Sequence, residues 1–136
     1  MNKLGIIIQA RTGSTRLPSK MILPFYGNDG ILSILLSRLT QCKLADSIIV
    51  ATTSSSPDDA IVREHRVKCF RGDENDVLDR FIQAARYYGI SKIIRICADN
   101  PFLDIESLDS LILASENIDA DYVSFCTSNH TPTIKT

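Results

Sequence analysis

Nowhere do the 136 residues hold a run near the roughly 20 consecutive apolar side chains that span a bilayer, so no transmembrane helix is expected. Met1-Asn2-Lys3 leads into only a short apolar-leaning stretch before Gln9, too brief for the core of a signal peptide, and a cytoplasmic protein is expected. Charge of one sign is lacking too. A formal net charge of -1 excludes a global basic field of the kind that holds nucleic acid or an anionic membrane, so any anion site has to be local. The two histidines, His65 and His130, have no partner pattern for a metal or a nucleophilic triad and read as surface residues. Cys42, Cys69, Cys97 and Cys126 lie far apart, inside or beside apolar runs. They have neither the close Cys/His pairs of a zinc framework nor the density of a secreted disulfide scaffold, and read as reduced, mostly buried thiols. The G-x-x-x-x-G-K-[ST] and G-x-G-x-x-G phosphate loops are absent, as are repeats, low-complexity tracts and linkers.

What is present is ordinary for a globular chain: 44% apolar and 23% charged residues, with length enough for one domain and a real core over 1–136. Short runs rich in Ile and Val predict strands at Leu4 to Gln9, Ser47 to Thr52, Val67 to Phe70, Lys92 to Cys97 and Tyr122 to Phe125. Their near-continuous apolarity is that of strands covered on both faces, as in a mainly parallel sheet. Helical spacing predicts helices over Ile31 to Cys42, Ala60 to His65, Asn75 to Tyr88 and Ile105 to Asn117. In the third, Val77, Leu78, Phe81, Ala84, Ala85 and Tyr88 form the apolar face, with Arg80 placed off it. Gly89 supplies a left-handed end, and Asp104 caps the start of the last helix over a stripe of Leu108, Leu111 and Ile112. The tail from Thr127 to Thr136, "TSNHTPTIKT", is polar and reads as an end without a closing element.

The resulting β-α alternation argues for an open α/β sheet with right-handed crossovers, in which ligands bind beyond the carboxyl ends of the strands. The segments that leave each strand are therefore the candidates for a site. After the first comes "QARTGSTRLPSK", Gln9 to Lys20. Gly13 and Ser14 allow close backbone approach to phosphate oxygens. Arg11, Arg16 and Lys20 bring positive charge, and Pro18 stiffens the segment that presents Lys20. The same composition also fits a solvated loop with scattered charges. After the fourth comes "RICADNPFLD", where Asp99 stands two residues past a strand and Asn100-Pro101 forces a turn. A single carboxylate there suits Mg²⁺ shared with a nucleotide, and equally a turn Asp that bonds its own backbone. In "FRGDENDVLDRF", Arg71 points toward nucleotide or sugar, Asp73, Asn75 or Asp76 caps the helix, and Asp79 with Arg80 reads as a plain surface ion pair. Asp119-Ala120-Asp121 matches a D-x-D metal motif, but it precedes its strand and is not read as a ligand set.

Taken together, "QARTGSTRLPSK", "VATTSSSPDD", "FRGDENDVLDRF" and "RICADNPFLD" resemble the cytidylyltransferase family, in particular its acylneuraminate, deoxyoctulosonate and spore-coat polysaccharide branches. The resemblance runs in order from Ile6 to about Phe125 and corresponds to the N-terminal part of that family. It implies a three-layer α/β/α sandwich of the nucleotide-diphospho-sugar transferase, Rossmann-like type. It implies transfer of CMP from CTP to a sugar acid or sugar derivative, with release of pyrophosphate and help from Mg²⁺. By position, the resemblance implies that Ala10, Arg11, Gly13, Ser14 and Thr15 line the nucleotide, that Arg16 and Lys20 neutralise the triphosphate, and that Asp99 holds the metal. Arg71 is implied near nucleotide or acceptor, while Arg11 and Lys20 stabilise charge developing in the reaction. No general base is identified. Cys97 stands where better-known branches carry a Gln that assists with the base. A non-catalytic nucleotide-binding or interaction module lacking the acceptor half is the competing reading, and a GT-A sugar transferase is disfavoured by the place of its D-x-D. A sheet that stops early exposes apolar surface or a strand edge, so self-association into a homodimer is a hypothesis.

Overall fold

The computed structural model describes residues 2–13, 20, 22–64, 67–128 and 131–135, with backbone alone at 64 and from 125 onward. The chain falls into two compact units, Met1–Phe102 and Leu103–Thr136. Among the described residues no helix is long and apolar enough to cross a membrane.

The first unit is built on β1, Leu4–Gln9. Ile6, Ile7 and Ile8 are fully buried, as a strand covered on both faces requires. An unexpected hairpin of β2 (Pro24–Tyr26) and β3 (Asp29–Gly30) leads into α1, Ile31–Leu39. Gly27 takes φ 60° at the hairpin's bend, a conformation that costs glycine little. β4 (Ser47–Thr53), a 3-10 turn (Ser56–Asp58) and α2 (Asp59–Glu64) come next. Then come β5 (Lys68–Gly72), α3 (Val77–Tyr88) and β6 (Lys92–Cys97). β5 runs two residues further than its apolar core suggests, because parallel pairing with β4 carries Arg71 and Gly72 alongside Thr52 and Thr53.

All four strands of the central sheet are parallel, in the order β5-β4-β1-β6. From β1 the chain moves outward through β4 to β5, then returns to the other side of β1 as β6. The gap beyond the carboxyl ends of β1 and β6 is therefore the topological switch point, where open α/β sheets bind ligands.

α3 covers one face. Its Phe81, Ala84 and Ala85 form a buried cluster with Ile7, Ile49, Ala51 and Ile90, and Phe70, Val77 and Tyr88 pack around it. Ile6, Ile8 and Val50, on the other face, are equally buried, and α1 supplies the buried Leu32, Leu35, Leu36 and Leu39. Asp76 caps α3 by accepting the Asp79 N–H, and Gly89 ends it at φ 65°. A Cβ built on Gly5 would lie 2.7 to 3.0 Å from three carbons of Ile90. Both Ile90 γ-carbons are among them, and a β-branched side chain cannot swing both away. Gly5→Ala is therefore expected to destabilise by about 1–2 kcal/mol, measured by urea denaturation. An unchanged midpoint would show that Ile90 has room to shift.

The second unit holds α4, Ile105–Glu116, with Asp104 as its N-cap accepting from Ser107. Ile105, Leu108 and Ile112 are its buried side chains, whereas Leu111 is half-buried. β7 lies at Ser124–Ser128, later than expected, and pairs antiparallel with β8, Thr131–Lys135, in a separate two-stranded sheet. The tail thus closes as a hairpin strand. Its Ser and Thr residues carry little apolar signal but pair well through the backbone.

Candidate functional site

Among the described residues, Ala10, Arg11, Arg71 and Asp99 lie at or just beyond the carboxyl ends of the sheet strands. Ala10 is buried and continues the ladder, donating its N–H to Ala51 O at 3.1 Å; Ala98 N–H donates to Gln9 O at 3.3 Å. These two bonds place the residues leaving β1 beside those leaving β6, so Arg11 and Asp99 both emerge at the switch point. Arg11, Gly13 and Asp99 are exposed, and nothing lies within 4 Å of a Cβ built on Gly13. Lys20 is half-buried in a turn. Ser14, Thr15 and Arg16 lie outside the described residues.

Thr12, between Arg11 and Gly13, is held by a carboxylate that sequence reasoning passed over. Asp58 Oδ1 accepts both the Thr12 N–H, at 2.6 Å, and the Thr12 hydroxyl, at 2.7 Å, while Asp58 Oδ2 accepts the Thr53 hydroxyl. All three residues are buried. Burial pushes the Asp58 carboxyl up, but the bonds from Thr53 and Thr12 and the charge of Arg71 outweigh it and leave the group below its ordinary value. The signal in the sequence was Pro57-Asp58-Asp59 just past a strand end.

Arg71 is already engaged. Its Nε donates to Thr53 O at 2.8 Å, its Nη2 to Ser55 O at 2.8 Å, and its Nη1 pairs with Asp59 Oδ1 at 2.5 Å. The guanidinium ties the end of β5 to the loop after β4, leaving two of its five N–H donors. Between these loops opens a cleft of ≈ 600 Å³ lined by Ser54, Ser55, Gly72, Asp73 and Glu74. Asp73 Oδ1 accepts the N–H groups of Asn75 and Asp76, which hold its carboxyl below the ordinary range.

The expected surface pair of Asp79 and Arg80 is not formed. Arg80 is completely buried, and Asp79 accepts from Gln83 Nε2 at 3.2 Å. Val77, Arg80, Phe81, Ala84 and Ala85 follow the i, i+3, i+4 stripe that faces the sheet, so helical spacing itself turns Arg80 inward. Among the described thiols, Cys42 is buried and Cys69 half-buried, but Cys97 is exposed, contrary to the expectation of mostly buried cysteines. The exposed Asp119 and Asp121 lie ahead of β7.

Among the described residues no three of His, Cys, Asp and Glu converge as a metal cage. Asp99 makes no hydrogen bond or ion pair to another described residue. That donor set fits Mg²⁺ held by one carboxylate and completed by phosphate oxygens and water, and it does not fit an all-protein site.

A family model described as cytidylyltransferase matches residues 5–133. The chain is 42% identical over 130 residues to the spore coat polysaccharide biosynthesis protein SpsF of Bacillus subtilis, covering 90% of this chain and 53% of that protein. It is 32% identical over 113 residues to a 3-deoxy-manno-octulosonate cytidylyltransferase of Francisella tularensis subsp. holarctica, covering 80% and 44%. The structure of a cytidylyltransferase from Leptospira borgpetersenii serovar Hardjo-bovis superposes with a TM-score of 0.80 at 40% identity, over 88% of this chain and 51% of that one. The chain thus spans about half the length of the curated relatives it matches. With the family model matched from β1 through β8 and the sheet shared with a solved member, this chain belongs to the cytidylyltransferase family.

Proposed function

We propose that the carboxyl edge of this sheet binds CTP, and that the protein serves transfer of CMP to a sugar acid or sugar derivative in cell-surface or spore-coat polysaccharide synthesis, releasing pyrophosphate. The observation that supports the reading is the pairing of Ala98 N–H with Gln9 O, which brings the residues leaving β1, Arg11 among them, beside those leaving β6, with Asp99. In this reading Ala10, Arg11, Gly13, Ser14 and Thr15 line the nucleotide, and Arg16 and Lys20 neutralise the triphosphate. Asp99 holds Mg²⁺, which when bound supplies positive charge to the phosphate oxygens. Arg71 acts beside the nucleotide by fixing the loop after β4, with its remaining donors turned to the ligand.

The chemistry asks little covalent work of the protein. An acceptor oxygen attacks the α-phosphorus in line, the new P–O bond forms, and the bond to the pyrophosphate oxygen breaks. The contribution of Arg11 and Lys20 is charge stabilisation as pyrophosphate departs, and that of the backbone after β1 is alignment.

Titration calorimetry with CTP, ATP and GTP in Mg²⁺ tests the reading. CTP is expected to bind in preference to the purine nucleotides, and Lys20→Ala to weaken it by about tenfold, the worth of one charge-assisted contact. A folded protein that binds none of the three would sink the proposal.

A further inference from the structure

We infer that Arg80 is a buried fork for phosphoryl oxygens, taking the triphosphate of the bound nucleotide together with Arg11; this rests on the nucleotide reading above. The side chain has no exposed surface, and its Nη1 donates to Asp73 O at 2.8 Å. Its Nε and Nη2 are buried without a hydrogen-bond partner among the described residues. Buried donors on a charged group are rarely left unmade, because each forfeits its hydration with no return. Nε and Nη2 also form one edge of the guanidinium, the edge that meets two oxygens of a carboxylate or phosphate in parallel bonds.

The surrounding charges indicate the sign of the missing partner. After burial, the strongest influence on Arg80 is repulsion from Arg11, and both lower its pKa. Asp58, Asp73 and Glu74 attract it in turn. Asp58, however, has both oxygens committed to Thr12 and Thr53, and Asp73 Oδ1 is committed to the backbone of Asn75 and Asp76. Arg80 therefore feels a second guanidinium, while Asp58, the buried carboxylate that attracts it, is already engaged. An oxyanion from outside would relieve both. Gly72, which lines the cleft, packs against the arginine's stem: a Cβ on it would stand 3.0 Å from Arg80 Cγ. In this proposal an oxyanion reaches the fork when the Gly72–Glu74 segment, which lines the cleft, moves off that stem.

A sugar-acid carboxylate presents the same pair of oxygens, so the test separates the two sources. In wild-type protein with ¹⁵N-labelled arginine, the Arg80 Nε–H resonance is followed against pyrophosphate, CTP, cytidine and a 3-deoxy sugar acid. Pyrophosphate and CTP are expected to shift it, and cytidine and the sugar acid to leave it in place. In parallel, Arg80→Gln is expected to weaken CTP and pyrophosphate by about 30-fold while leaving cytidine unchanged. Arg80→Lys, which keeps the charge but not the fork, should recover only part of that loss. A resonance unmoved by CTP that binds, or a folded Arg80→Gln whose CTP affinity stays within about twofold of wild type, overturns the assignment. So does a shift with the sugar acid alone, which would give the fork to the acceptor. Absence of CTP binding to wild type would instead sink the nucleotide reading itself, and the same titration reports it before any variant is made.

Discussion

Asp58→Ala is expected to lower the unfolding free energy by about 3–5 kcal/mol and the melting temperature by about 10–20 °C. The carboxylate accepts from the Thr12 N–H, the Thr12 hydroxyl and the Thr53 hydroxyl in a buried pocket. Alanine leaves all of those donors without a partner, and bonds to a charged acceptor are individually among the stronger ones. Asp58→Asn should cost less, about 2 kcal/mol, because one carbonyl oxygen still accepts while the amide N–H₂ meets a hydroxyl. The effect has a pH signature. The folded Asp58 titrates below its ordinary value of 3.8, so its stabilisation is complete above the unfolded pKa and is lost as pH falls through the folded one. The gap in stability between wild type and Asp58→Asn should therefore be widest at neutral pH and shrink below about pH 4. Urea denaturation at both pH values measures it, and a gap of equal size at each would remove Asp58 as the titrating post. Because Thr12 lies between Arg11 and Gly13, the same variants are expected to weaken CTP binding along with the fold.

Asp99→Asn should do the reverse, sparing the fold and abolishing metal dependence. The side chain is exposed at the turn after β6 and bonds no other described residue, so stability should stay within about 0.5 kcal/mol of wild type. The amide keeps the shape but not the charge that a hard cation requires. In wild type, chelation with EDTA is expected to weaken CTP binding; in Asp99→Asn the affinity with and without Mg²⁺ should coincide. Where pyrophosphate release is measured in the Mg²⁺-supplied protein, the variant should be slower by about 10²–10³-fold, the scale of losing one main electrostatic stabiliser. A variant that keeps the full Mg²⁺ enhancement would place the metal ligand elsewhere.

Much of the fold could be read along the chain. β1 and β4 were legible as apolar runs, and α3 announced its stripe, its Asp76 cap and its Gly89 end. The β2–β3 hairpin was not, because Pro24, Phe25 and Tyr26 are exposed and show no alternation against a core. β8 was missed for a related reason: its Thr-rich segment pairs through the backbone with β7 in a sheet of its own. Of the candidate site, Arg11 and Asp99 could be picked out as charges placed just beyond strand ends, and their roles belong to the proposal above. Arg80 was misread because its charge was allowed to overrule its place on the helical stripe.

The sequence by itself determined the alternation of strand and helix, the helix caps and the gathering of cationic and acidic residues after particular strands. These depend on neighbours two to four positions apart, and the chain carries that information locally. Tertiary structure decided which strand ends meet. It set β6 against β1 rather than beside β5, brought Asp58 under Thr12 across 46 positions, and bound Arg71 to Thr53 O across 18. No local pattern encodes those partnerships. They form because buried polar groups have to find acceptors wherever the packed sheet places them.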